Sequence, residues 1–233
     1  MWVKSTGNIL LICDTSPQVM ILPTSIFSYL EQTDDYYFPP LTGTYLRIIR
    51  TLILIFSVVV TPLWYLAIEY EAILPEAIKF IVPDEPGYLP IILQLFLSEL
   101  AIDGLKIASM NTPDMLSNSL SVVGALLLGD FAVGVGWLCE DVILYMAFVA
   151  IANFAQQNYE LGYAFKFMRV LTLALVYLLG IWGFALGMLV FILAVTTNNT
   201  VFGRLHYLYP LIPFRPKAMK KILLRTRKRD FEE

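Results

Sequence analysis

The sequence predicts an all-α polytopic membrane protein of about four to six crossings, with a short N-terminal β-hairpin and helix as the remnant of a soluble domain. Three observations lead there. The chain has 233 residues, 58% hydrophobic and only 15% charged, with mean hydropathy +0.70. A soluble domain of that length needs a polar skin that these residues cannot supply. The apolar residues are also clustered, since 52–67, 120–138, 142–152 and 170–195 are nearly free of charge. Finally, the net charge of −3 hides a segregation of acids and bases along the chain. Three regions follow: 1–48, the C-terminal end of a cytoplasmic α/β domain; 49–197, the membrane domain; and 198–233, a basic cytoplasmic tail.

In the first region "NILLICD" and "QVMILPT" are short β-type runs on either side of "TSP", which predicts a hairpin. A short helix is expected from Ser25, ended by the acidic and Pro-rich "EQTDDYYFPP". No basic stretch followed by an apolar one occurs in 1–48, so the first span is expected to serve as the insertion signal. That span, 50–70, has Arg47 and Arg50 at its start and Trp64, Tyr65 and Tyr70 for the far interface, with Pro62 loosening the helix. An acidic loop follows, with Glu69, Glu71, Glu76, Asp84 and Glu85.

Residues 88–110 form the next apolar segment, and it carries Glu99, Asp103 and Lys106. On a helix these fall within an arc of roughly 60°. A charge facing lipid costs about 2.5–3.5 kcal/mol or more, so the stripe should face protein or water. Two readings stand side by side. One is an interfacial helix with Asp103 and Lys106 paired three residues apart. The other is a stripe lining an ion or solute path, or joining subunits.

The segment 119–138 is apolar and glycine-rich, with Gly124, Gly129, Gly134 and Gly136 around the isolated Asp130. It is the candidate constriction. Residues 142–169 fade from apolar to polar, and Glu160 and Lys166 are assigned to a loop or interface. Residues 170–195, about 26 in number, are long enough to cross with tilt. Gly180, Gly183 and Gly187 share one face there, which suits close helix packing or a bend into two half-helices.

The tail is basic, from Arg215 to Arg229. Binding to nucleic acid or acidic lipid is one reading of it. The positive-inside rule is the plainer one, and it puts both termini in the cytoplasm. No nucleic-acid partner is expected. Both ends inside needs an even number of crossings, yet five apolar segments are counted. Either 88–110 dips into the membrane or the last segment bends into two.

Enzymatic chemistry is not expected. The two cysteines, Cys13 and Cys139, have no CxxC partner, and the single histidine, His206, lies outside the apolar segments, so neither a metal nor a cofactor is expected. There is no HExxH, P-loop or nucleophile elbow. "LLLGD" has Leu127 where the glycine–aspartate motif of intramembrane aspartyl proteases needs glycine. Asn198-Asn199-Thr200 matches a glycosylation pattern that arises often by chance.

"LICDTSPQVMILPTSIFSYLEQTDDYYFPPLTGTYLRIIR", "LSELAIDGLKIASMNTP", "ILYMAFVAIANFAQQNYELGYAFKFMR" and "YLYPLIPF" occur in this order over almost the whole chain. Together they resemble the A-subunit family of bacterial spore germination receptors, the GerA type, and within it the stage V sporulation AF branch. The resemblance implies a multi-pass protein of the endospore inner membrane, with its termini on the spore-core side. It implies a homo-oligomer in membrane lipid, working with other germination membrane subunits. Complexes of this family are implied to be ion channels that release cations early in germination, with the AF branch amplifying that release. A large soluble domain precedes the hairpin in the family, and this chain is expected to hold only its end. The stripe Glu99, Asp103 and Lys106 matches an acid, acid, base pattern of the family.

Overall fold

The computed structural model describes residues 37–111, 127–155 and 159–197, together with 9–12, 19–22 and the single residues Asp14, Ile26 and Gly124. Two compact units emerge, one holding 1–52 with 190–233 and the other 53–189. The first contains strands β1 (Ile9–Ile12) and β2 (Val19–Leu22), paired antiparallel with Ile9 opposite Leu22 and Ile12 opposite Val19. The "TSP" turn, the helix expected beyond Ile26, Cys13, His206 and the basic tail lie outside the described residues.

The rest is mostly helical. Helix α1 spans Pro40–Glu69, so the boundary expected at residue 48 falls inside it. It is apolar along its length, and its hydroxyls do not break it. Thr44 donates to the Pro40 carbonyl, Thr51 to Arg47 and Ser57 to Leu54, at 2.7–2.8 Å, each hiding its polar group against its own helix. Helix α2 is Ile91–Asn111, α3 is Glu140–Phe154, α4 is Tyr159–Leu179 and α5 is Ile181–Thr197. Between α2 and α3 lie a π-helical turn, Leu127–Phe131, and one α-turn, Ala132–Gly134. Among the described residues two helices, α1 and α4, are long and apolar enough to cross a membrane, with α5 a shorter apolar helix.

Two boundaries sharpen the sequence reading. Within 142–169, α3 ends at Phe154 and α4 begins at Tyr159. Of the two readings of 170–195, the helices follow the bend. Its first part belongs to α4, and the chain turns at Gly180, whose φ of +58° is the left-handed conformation that ends helices cheaply only at glycine. Helix α5 then folds back. A Cβ on Gly183 would collide with the Leu175 carbonyl, and one on Gly187 would sit 2.7 Å from the Thr172 side chain. Positions 183 and 187 therefore meet 175 and 172, an antiparallel pair whose close approach depends on missing side chains.

The remaining contacts give each helix a direction. Trp64, near the end of α1, donates from Nε1 to the Ile81 carbonyl at 2.7 Å and stacks on Tyr145 of α3 at 4.3 Å. Gln94, at the start of α2, is fully buried and used at both ends. Its Nε2 donates to the carbonyls of Pro86 (2.5 Å) and Leu89 (2.8 Å), and its Oε1 accepts from Cys139 N–H just before α3 (2.8 Å). Beside it, Tyr88 N–H donates to the Gly136 carbonyl at 2.9 Å. Gly87 and Gly136, both at φ +77°, make that crossing possible. Gly124 lies against Leu105 of α2. Helices α1 and α4 run toward the end of the unit that holds Trp64, Gln94 and Gly180. Helices α2, α3 and α5 run away from it. That end is acidic, with Glu69, Glu71, Glu76, Asp84, Glu85, Glu140 and Asp141.

Candidate functional site: a buried charge quartet and an exposed carboxylate

Helix α2 buries Gln94, Leu95, Ser98, Glu99, Ile102 and Lys106, a mixed polar and apolar face. Helix α4 buries Leu161, Phe165, Lys166, Arg169, Thr172, Leu173 and Val176. The two run antiparallel, so acids four apart on α2 meet bases three apart on α4. Arg169, 0% exposed, donates from Nε to Glu99 Oε1 at 2.6 Å, and its Nη2 lies 2.6 Å from the same oxygen. Its Nη1 donates to the Ser57 carbonyl of α1 at 3.0 Å. One guanidinium thus ties three helices together.

The second pair is different. Lys166 binds Asp103, and its Nζ lies 3.8 Å from Glu99 Oε2, which accepts no hydrogen bond. Asp103 keeps 24% of its side chain exposed, against 6% for Glu99. A cavity of about 10 Å³, room for about one water, adjoins it between α2, α3 and α4. Ile102, Asp103, Lys106, Asn153, Gly162, Tyr163 and Lys166 line it. Lys106 Nζ sits 5.0 Å from the centre of the Tyr163 ring, a cation–π distance.

The sequence stripe Glu99, Asp103 and Lys106 therefore faces protein. Lys166, assigned to a loop or interface from the sequence, is instead a buried residue of α4 that holds Asp103. Arg169 was not singled out at all. The signal that finds both is the complementary spacing of two acids on one apolar helix and two bases on another.

Asp130 is solved in the opposite way. It lies in the π-turn Leu127–Phe131 and is exposed, as are Phe131, Gly134 and Val135. A Cβ added at Gly129 or Gly134 would meet nothing within 4 Å, whereas Gly124 and Gly136 are crowded by Leu105 and Tyr88. The four glycines of the candidate constriction thus divide into two packed and two open.

The sequence matches the Bacillus/Clostridium GerA spore germination protein family over residues 5–233. The chain belongs to this family. Stage V sporulation protein AF of Bacillus subtilis (strain 168) is 37% identical over 222 residues, which cover 95% of this chain and 45% of that protein. Spore germination protein GerQA of Bacillus cereus is 28% identical over 227 residues, 96% of this chain and 45% of that protein. Spore germination protein GerIA of Bacillus cereus is 30% identical over 185 residues, 78% of this chain and 28% of that protein. The chain spans less than half the length of these GerA relatives. No solved structure matches it.

Proposed function

We propose that this GerA chain is a subunit of an oligomeric complex of the endospore inner membrane that takes part in germination by forming or amplifying a cation release channel. In this proposal the chain makes an even number of passes, α1 and α4 running toward the acidic end outside and α2, α3 and α5 running back, with the basic tail on the spore-core side. The helix directions, the segregated charges and the family support it.

The observation that carries the ion-release reading is the exposed Asp130 on a π-turn between open glycines. In lipid that carboxylate would cost about 2.5–3.5 kcal/mol, so an assembled complex must give it water or a partner. Rings of carboxylates favour cations, and π-turns recur at functional positions. Glu99 and Asp103, of the stripe that one sequence reading sets along an ion path, are assigned here to holding helices together, because each already has a base.

The test is potassium release from spores whose full-length protein carries Asp130→Asn. Release slowed several-fold at normal protein level supports conduction along this segment. Normal release removes Asp130 from the pathway. It then favours a second reading, a non-conducting membrane scaffold for other germination subunits, which the pairing of Glu99 and Asp103 with Arg169 and Lys166 already suits.

A further inference from the structure

We propose that residues 71–81, between α1 and α2, form an elbow that docks on lipid at the acidic end, its apolar side among acyl chains and Lys79 at the headgroup phosphates. The segment holds two short 3-10 helices, Glu71–Ile73 and Glu76–Ile81, and neither buries a residue in the protein. Ile73 is 77% exposed and Phe80 79%, with Ile78 exposed between them. Large apolar groups left bare together mark a surface that something covers.

Their depth identifies the cover. Helix α1 ends at Glu69 and α3 begins at Glu140, so these two acids mark one level at the acidic end. Trp64 precedes the first and Tyr145 follows the second, each roughly 7–8 Å deeper along its helix. Their rings stack at 4.3 Å, and Trp64 Nε1 donates to the Ile81 carbonyl at 2.7 Å. The chain therefore leaves α1 at Glu69, turns, and comes back to the level of Trp64 before it reaches α2 at Ile91. That level lies beside Leu63, an exposed apolar residue of a helix long enough to cross a membrane, so the elbow continues the same lipid-facing surface.

Its chemistry fits that depth. Side chains three apart eclipse in a 3-10 helix, so Glu76 and Lys79 share one side, Ala77 and Phe80 a second, and Ile78 and Ile81 a third. Ile81 packs on the apolar core, and Ala77 and Phe80 are left exposed. The N–H groups of Ile73, Leu74, Ile78 and Val82 donate to the carbonyls of Tyr70, Glu71, Pro75 and Lys79 at 2.9–3.1 Å, which satisfies backbone that water reaches poorly. Lys79 is the one base between residues 51 and 105, and its long stem can carry the ammonium up to lipid phosphate. Glu69, Glu71 and Glu76 repel the same stretch of a second copy, so lipid is the better cover.

The experiment puts the photo-crosslinking residue p-benzoylphenylalanine at single positions of the full-length protein, in liposomes of phosphatidylethanolamine and phosphatidylglycerol. Mass spectrometry reads the adducts. In place of Phe80 or Ile73 the expected product is the peptide plus one lipid, in yield comparable to that at Leu63 of α1. In place of the exposed Glu85 the yield should be several-fold lower. Trp64→Phe keeps a ring for Tyr145 but removes the donor to Ile81; it should lower lipid adducts at position 80 several-fold and leave those at 63 unchanged. Crosslinks from position 80 to a second copy, or no adduct there while position 63 is labelled, overturn the elbow. Adducts at 80 that Trp64→Phe leaves unchanged overturn the depth set by Trp64. The elbow rests on the membrane part of the proposed function and not on ion release. Lipid adducts missing at position 63 as well would sink that membrane reading together with the elbow, whereas their loss at 80 alone sinks only the elbow.

Discussion

Glu99 and Asp130 are both carboxylates in apolar stretches, yet the fold handles them in opposite ways. Glu99 is 4% exposed, takes the Nε and Nη2 of a buried arginine on one oxygen, and lies at the contact of three helices. Asp130 is exposed beside two glycines with empty space around them. A buried charge held by two bases fixes geometry and is shut off from a passing ion. An exposed one in a loosely packed π-turn contributes little to folding and is free to meet solvent or a neighbouring subunit. The sequence offers both, Glu99 and Asp103 as a stripe and Asp130 as an isolated acid, and the ion-release proposal rests on the isolated one.

The largest effect should come from breaking the quartet at its most buried member. Arg169→Met leaves Glu99 buried without its base and should cost about 3–5 kcal/mol, seen as lost thermal stability of the full-length protein in detergent. The double change Glu99→Leu with Arg169→Met removes both charges and should recover most of it. A single Arg169→Met that melts with the wild type would erase the contrast with Asp130.

Gln94→Ala comes next. It strips partners from the carbonyls of Pro86 and Leu89 and from Cys139 N–H, and should cost about 1–3 kcal/mol in the same melt. The glycines sharpen the comparison further. Gly183→Ala drives a Cβ into the Leu175 carbonyl, which cannot rotate away, and should cost about 1–3 kcal/mol. Gly134→Ala meets open space and should change stability by no more than about 0.5 kcal/mol.

How much of this was legible before the structure depends on which interaction decides each feature. The apolar runs announced helices, and the shared face of Gly180, Gly183 and Gly187 announced a close approach or a bend. Both turn out to describe one hairpin: Gly180 makes the turn and the other two make the contact. Lys166 and Arg169 were hidden because a hydropathy reading counts any base as the end of a span. Their charges are cancelled by Glu99 and Asp103, some seventy positions away in sequence (|i−j| = 70 for Arg169 and Glu99), and only tertiary pairing reveals that. The Gln94 joint was equally invisible, since a lone glutamine in an apolar helix gives no hint of the two loops it will bridge.

The smallest effect on folding, and the most informative for function, belongs to Asp130. Asp130→Asn should leave the melt within about 0.5 kcal/mol of wild type. The decisive measurement is cation flux through the full-length protein carrying that change, reconstituted in liposomes with its partner subunits at matched insertion. Flux reduced several-fold, with the quartet and the fold intact, is the predicted result; flux equal to wild type would contradict the assignment of ion contact to Asp130.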